Sequence, residues 1–190
     1  MSKSTLAGHP LHPILITVPA GLLPFSLAMD VMKRASGGRS EFGDAAYYTL
    51  VGGVAGGLAA AAAGLADYLK LPKHGPANAK LARTANAHAM LNAGAMALYG
   101  LNLLLRRRDR ADGGDGSTAV PVAMSAVGTA ALSVSAWYGA HLVYEHGVRV
   151  RGPDPLAKAP EIKPPGDERA AAALDRAAEA VVPAGGPELR

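Results

Sequence analysis

The chain of 190 residues carries 19 Lys and Arg against 15 Asp and Glu, a net charge of +4, and is short enough for one or two domains. Hydrophobic residues make up 49%, charged ones only 18%, and cysteine is absent. Without thiols there are no disulfides, thiolate zinc sites, cysteine-ligated iron–sulfur clusters or c-type haem attachment, which leaves histidine chemistry for any metal.

Four apolar stretches follow one another. Residues 13–32 hold one charge, Asp30, and residues 45–69 one, Asp67. Residues 84–105 hold none beyond His88, and in 119–143 the ionisable side chains are His141 and Tyr138. Crossing about 30 Å of hydrocarbon takes about 20 helical residues, so each stretch reads as a span. A small-x-small pattern at Ser26-Leu27-Ala28 suggests signal cleavage, but the first apolar run is too long and its leading charge too sparse. The sequence therefore predicts an all-α, multi-pass protein of the cell membrane, in contact with the lipid bilayer. Short connections make consecutive helices antiparallel, giving an up-down-up-down four-helix bundle over residues 8–151 with both termini on one side.

The first helix contains Pro19 and Pro24, each expected to kink it. In the second, Gly52-xxx-Gly56 overlaps Gly53-xxx-Gly57. Such spacing lets backbones approach closely, within the bundle or, as a homo-oligomer, between copies. Residues 152–190 change to Pro, Ala and charge: an extended linker at 152–166, then helix formers at 167–182 as a frayed helix or disorder. Basic residues nearly balance across the two faces, so the positive-inside rule decides little. The block Arg106 to Arg110 reads as a lipid headgroup anchor rather than a nucleic-acid site.

Threading the spans puts all six histidines on one side, here called side A. His9 and His12 precede the first helix, each followed by proline; His12 either starts the helix at Pro13 or serves as a ligand. His74 falls in a side A loop. His88 and His141 lie five residues inside Arg83 and His146, about 7–8 Å deep at 1.5 Å per residue, so two helices present imidazoles at matched depth. Asn92, Glu145 and Asp67 are polar neighbours suited to fixing a tautomer. Three roles fit: hydrogen bonds between helices, a metal or haem site, or proton relay. In the leading reading His88, His141 and His12 bind a cofactor (haem b or a transition metal), with His9 as a further metal ligand and Asp67, Asn92 and Glu145 in support. The alternatives are a transporter, channel or proton-handling protein, opposed by the lack of a polar string reaching the other face, side B, and a scaffold. No nucleotide loop, nucleophile elbow or His-Glu-x-x-His marks an enzyme.

Three blocks, Gly8-His9-Pro10-Leu11-His12-Pro13, His88-Ala89-Met90-Leu91-Asn92 and Gly139-Ala140-His141-Leu142-Val143-Tyr144-Glu145-His146-Gly147-Val148, resemble an uncharacterised bacterial membrane family catalogued as domain of unknown function 2231. Gly64-Leu65-Ala66-Asp67-Tyr68 resembles its second-helix ending, and Ala140 and Arg149 stand where that pattern has glycine. Some relatives are joined to Rieske-type iron–sulfur domains, and the plan is similar to di-haem cytochromes b. The resemblance therefore implies electron transfer with a redox partner such as an iron–sulfur protein. Two stacked haems would need histidines at both faces, so a single haem b or one metal site near side A is the expectation.

Overall fold

A computed structural model describes residues 5–6, 9–72, 75 and 78–148; for His9 this means the backbone alone. The expected linker at 152–166, the helix at 167–182 and His74 lie outside the described residues. A short antiparallel pairing of β1 (Thr5–Leu6) with β2 (His9–Pro10) leads into five helices: α1 (Leu11–Leu15), α2 (Thr17–Ala35), α3 (Ser40–Tyr68), α4 (Ala79–Ala111) and α5 (Ala119–Tyr144).

Pro10 caps α1, so the helix starts two residues before Pro13 and His12 sits in its first turn rather than at its mouth. Between α1 and α2 the chain turns at Ile16. Pro19 has no N–H to give the Leu15 carbonyl, and the helix breaks there; Pro24 lies inside α2. At its far end α2 closes with Gly37 at φ 74° and the Gly38 N–H on the Lys33 carbonyl at 2.9 Å, a six-to-one bond that favours glycine at the left-handed position.

The helices form two tight antiparallel hairpins, α2 on α3 and α4 on α5, joined by thinner α3–α4 and α2–α5 contacts. Thus α2 and α4 face each other across the diagonal. Buried positions repeat by threes and fours on each rod: Pro19, Leu23, Ser26, Asp30 and Lys33 on α2, and Pro121, Ser125, Gly128, Ser135 and Leu142 on α5. On α3 they include Gly43, Ala46, Leu50, Gly53, Gly57 and Ala60. This heptad spacing suits left-handed bundle packing.

Glycines admit their neighbours' side chains. A Cβ on Gly52 or Gly53 would strike Leu22 or Leu23; on Gly56 or Gly57 it would strike Val18 or Met96. All four glycines of the overlapping motifs are therefore filled from within the chain, which gives the spacing a role inside the bundle.

Large apolar side chains, Phe25, Val31, Leu58, Met90, Leu104 and Val127 among them, are exposed, while Asp30, Asn102, Arg106 and three serines are buried. That inverts the partition of a water-soluble protein and suits lipid as solvent. Three helical rods are long and apolar enough to cross a membrane: Leu11–Ala35, Ser40–Tyr68 and Ala119–Tyr144. The fourth expected span, residues 84–105, falls in α4 and fails that criterion because its inward face is polar.

Candidate functional site

Along α4 the inward seam reads Ala85, His88, Asn92, Ala95, Tyr99, Asn102 and Arg106, again spaced by threes and fours. Every exposed residue between His88 and Arg106 is apolar: Met90, Ala93, Gly94, Ala97, Leu101, Leu104 and Leu105. Helix α5 meets this seam with small and hydroxyl side chains. Room for His88 and Tyr99 is made by Gly139 and Gly128, where a Cβ would approach their rings to 3.1 and 2.7 Å.

At the side A end His12 and His88 come together across the bundle, ring centres 6.3 Å apart and planes at 86°. His12 Nδ1 donates to the Ala60 carbonyl at 2.8 Å, and His88 Nδ1 to the Ser135 carbonyl at 2.9 Å. A carbonyl only accepts, so each Nδ1 carries the hydrogen and each Nε2 keeps a lone pair. Gly64 makes the room for His12: an added Cβ would lie 2.9 Å from its ring. Asn92 ties the site to both helices, its amide meeting Ser135 Oγ at 2.6 Å and the His88 carbonyl at 2.9 Å. His88 Nε2 is a third acceptor for its two hydrogens, at 3.2 Å.

His141 does not join this pair. Its Nδ1 bonds the Trp137 carbonyl at 3.0 Å, its Nε2 lies 3.0 Å from Glu145, and its ring packs 3.9 Å from Trp137. Both nitrogens are used on its own helix, so neither lone pair is offered to His88, and the matched-depth expectation fails on azimuth. Glu145 serves His141 and Lys80, the latter at 3.3 Å. Asp67 is half-buried at the end of α3, its carbonyl accepting from Lys70 at 3.1 Å. No three His, Asp or Glu side chains converge to hold a metal ion among the described residues.

At the side B end lies a group the sequence reading missed. Arg106 grips Asp30 through both carboxylate oxygens, at 2.8 Å and 2.5 Å, with both side chains 0% exposed. Asn102 accepts from Arg106 Nε at 2.8 Å and donates to the Pro121 carbonyl and to Ser125 Oγ, each at 2.8 Å. Arg106 is therefore no headgroup anchor. Midway, the Tyr99 hydroxyl pairs with Thr129 at 2.8 Å and reaches the Ser125 carbonyl at 3.2 Å. The polar string to side B, absent from the sequence reading, runs down α4 with one apolar interval at Ala95.

A family model described as predicted membrane protein (DUF2231) matches residues 8–152. The chain belongs to this family. No curated protein and no solved structure matches it. The DUF2231 region includes both ends of the seam and all three sequence blocks singled out above. Two of them meet at the imidazole pair, through His12 and through His88 with Asn92. The third supplies Gly139 beside His88, and the pairing of His141 with Glu145. The signal for the side B site was the same three-and-four spacing, carried by Asn102 and Arg106 below His88 and Asn92.

Proposed function

We propose that this DUF2231 protein binds one transition metal or haem iron through the Nε2 atoms of His12 and His88, as a redox or metal-binding subunit near side A. The observation that carries the reading is the fixed tautomer of both rings. A ligating histidine as a rule donates its other N–H to a carbonyl or carboxylate, which orients the ring and raises its basicity, and here Ala60 and Ser135 supply those carbonyls. Ser135 and Asn92 support His88. His141 drops out of the ligand set and Glu145 out of the supporting one, each being paired elsewhere, while the His9 side chain lies outside the described residues. His12 and His88 would hold the iron of a haem or a soft metal ion, which would supply one-electron chemistry there. A redox partner would approach from side A. In this reading residues 8–151 form a four-span domain, α4 crossing the bilayer with its polar seam inward.

Absorption spectra and elemental analysis of detergent-purified protein test the reading. A Soret band or stoichiometric metal, lost in His12→Ala and in His88→Ala and kept in His141→Ala, is expected. A folded preparation that is colourless and metal-free, and unchanged by added haem or metal, overturns it.

Proton handling is a second reading, favoured by the polar α4 seam. Its mark is proton flux into proteoliposomes that disappears in His88→Ala.

A further inference from the structure

We propose that the side B end of the bundle holds a binding site for a phosphate oxyanion, occupied in the free protein by the carboxylate of Asp115. Lys33 lies in the last turn of α2 with its side chain 7% exposed, whereas Asp115, in the loop after α4, is 67% exposed. The ammonium lies 2.7 Å from Asp115 Oδ2. It rests against Gly43, where a Cβ would come within 2.9 Å of Nζ, so the lysine is held in place by a missing side chain. Despite the close charge contact, Lys33 Nζ has no hydrogen-bond acceptor in good geometry among the described residues, and Ser117 Oγ, two residues on from Asp115, is likewise buried without a partner among them.

Two of the buried side-chain atoms lacking partners among the described residues thus belong to the two residues that hold the Asp115 carboxylate. The Ser117 N–H already donates to Asp115 Oδ1 at 2.8 Å. A buried ammonium and a backbone N–H on one exposed anion, with an unused hydroxyl on the residue that supplies the N–H, have the donor chemistry of a phosphate site. Arg110 stands close enough to bear on Asp115 electrostatically, and Arg34, Arg107 and Arg108 are exposed nearby in sequence.

The resident carboxylate is easily displaced, because an ion pair with one exposed partner is weak. A phosphate brings a third oxygen for the Ser117 hydroxyl once the exposed Asp115 side chain turns outward. Asp115 then acts as a built-in competitor. The phosphate can come from an anionic lipid of the side B leaflet, where Lys33 ends its helix, or from solution.

The test is equilibrium binding to the full-length protein in neutral detergent, with phosphatidylglycerol and inorganic phosphate as separate probes. Asp115→Asn removes the competitor and should tighten binding roughly three- to sixfold, the factor by which a weak latch lowers apparent affinity. Lys33→Gln should weaken it at least tenfold. Saturation by phosphatidylglycerol alone assigns the site to a lipid headgroup; saturation by both probes assigns it to phosphate in general. Equal affinity in wild type and Asp115→Asn overturns the proposal, and so does the absence of binding by either probe in both. A gain of affinity in Asp115→Asn cannot come from misfolding, so the test survives a poorly folded Lys33→Gln.

Discussion

Replacing Asp30 with leucine leaves the Arg106 guanidinium charged and without its carboxylate inside the bundle. Both side chains are 0% exposed, and the other side-chain partners of Arg106 among the described residues are the neutral Asn102 and Ser125. Breaking a buried pair from one side costs about 3–5 kcal/mol, whereas replacing both partners with apolar residues is often neutral or stabilising. The cost of an arginine at the centre of a membrane helix, about 2.5–3.5 kcal/mol on insertion scales, sets a similar scale. Asp30→Leu and Arg106→Leu should therefore each destabilise by about 3 kcal/mol or more, and the double variant should recover most of that loss. Reversible unfolding in mixed micelles, followed by far-UV circular dichroism across the four proteins, gives the coupling energy directly. A single-variant loss under about 1 kcal/mol, or losses that simply add, would refute a desolvated, interdependent pair.

Glycine substitutions should divide by location. Gly128→Ala pushes a methyl into Tyr99 and should destabilise, whereas Gly94→Ala, with open space around it, should be neutral or gain up to about 1 kcal/mol; thermal melts of both decide. Trp137 is the chain's one tryptophan, its ring packed 3.9 Å from that of His141, so its fluorescence should change in His141→Ala and stay close to that of the unaltered protein in His88→Ala. The Lys33 ammonium, followed by the Ser117 N–H, holds the Asp115 carboxyl below its ordinary 3.8. Its contribution to stability is complete above that ordinary value and is lost as pH falls through the lower folded one. Asp115→Asn should flatten this acid-side limb of a stability profile, and an unchanged limb would place Asp115 outside the latch.

The bundle was legible because its signals are one-dimensional. Four apolar runs of span length and short connections suffice for four antiparallel rods, and the glycine spacing of α3 announces close packing. The sites were less legible because pairing depends on azimuth and on contacts far apart in sequence. Asp30 and Arg106 are separated by 76 positions, and Arg106 hides at the start of a run of arginines whose next two members are exposed. His88 and His141 share a depth, yet His88 turns inward to meet His12 while His141 turns along its own helix to Trp137 and Glu145. One regularity joins both ends: His88 to Arg106 is 18 residues of one helix, five turns or about 27 Å, and His12 to Asp30 is also 18 residues, across the break at Ile16. That nearly matches the hydrocarbon thickness, and it places the two diagonal pairs near opposite faces of the membrane.

The four-span bundle requires α4 to cross the bilayer with its polar seam inward, although its composition alone does not mark it as a span. The chain has no cysteine, so single thiols report cleanly. Lys80→Cys and Arg107→Cys, at exposed positions near the two ends of α4, should react with a membrane-impermeant maleimide from opposite sides of sealed vesicles. Labelling of both from the same side would contradict the four-span bundle and the inward polar seam together.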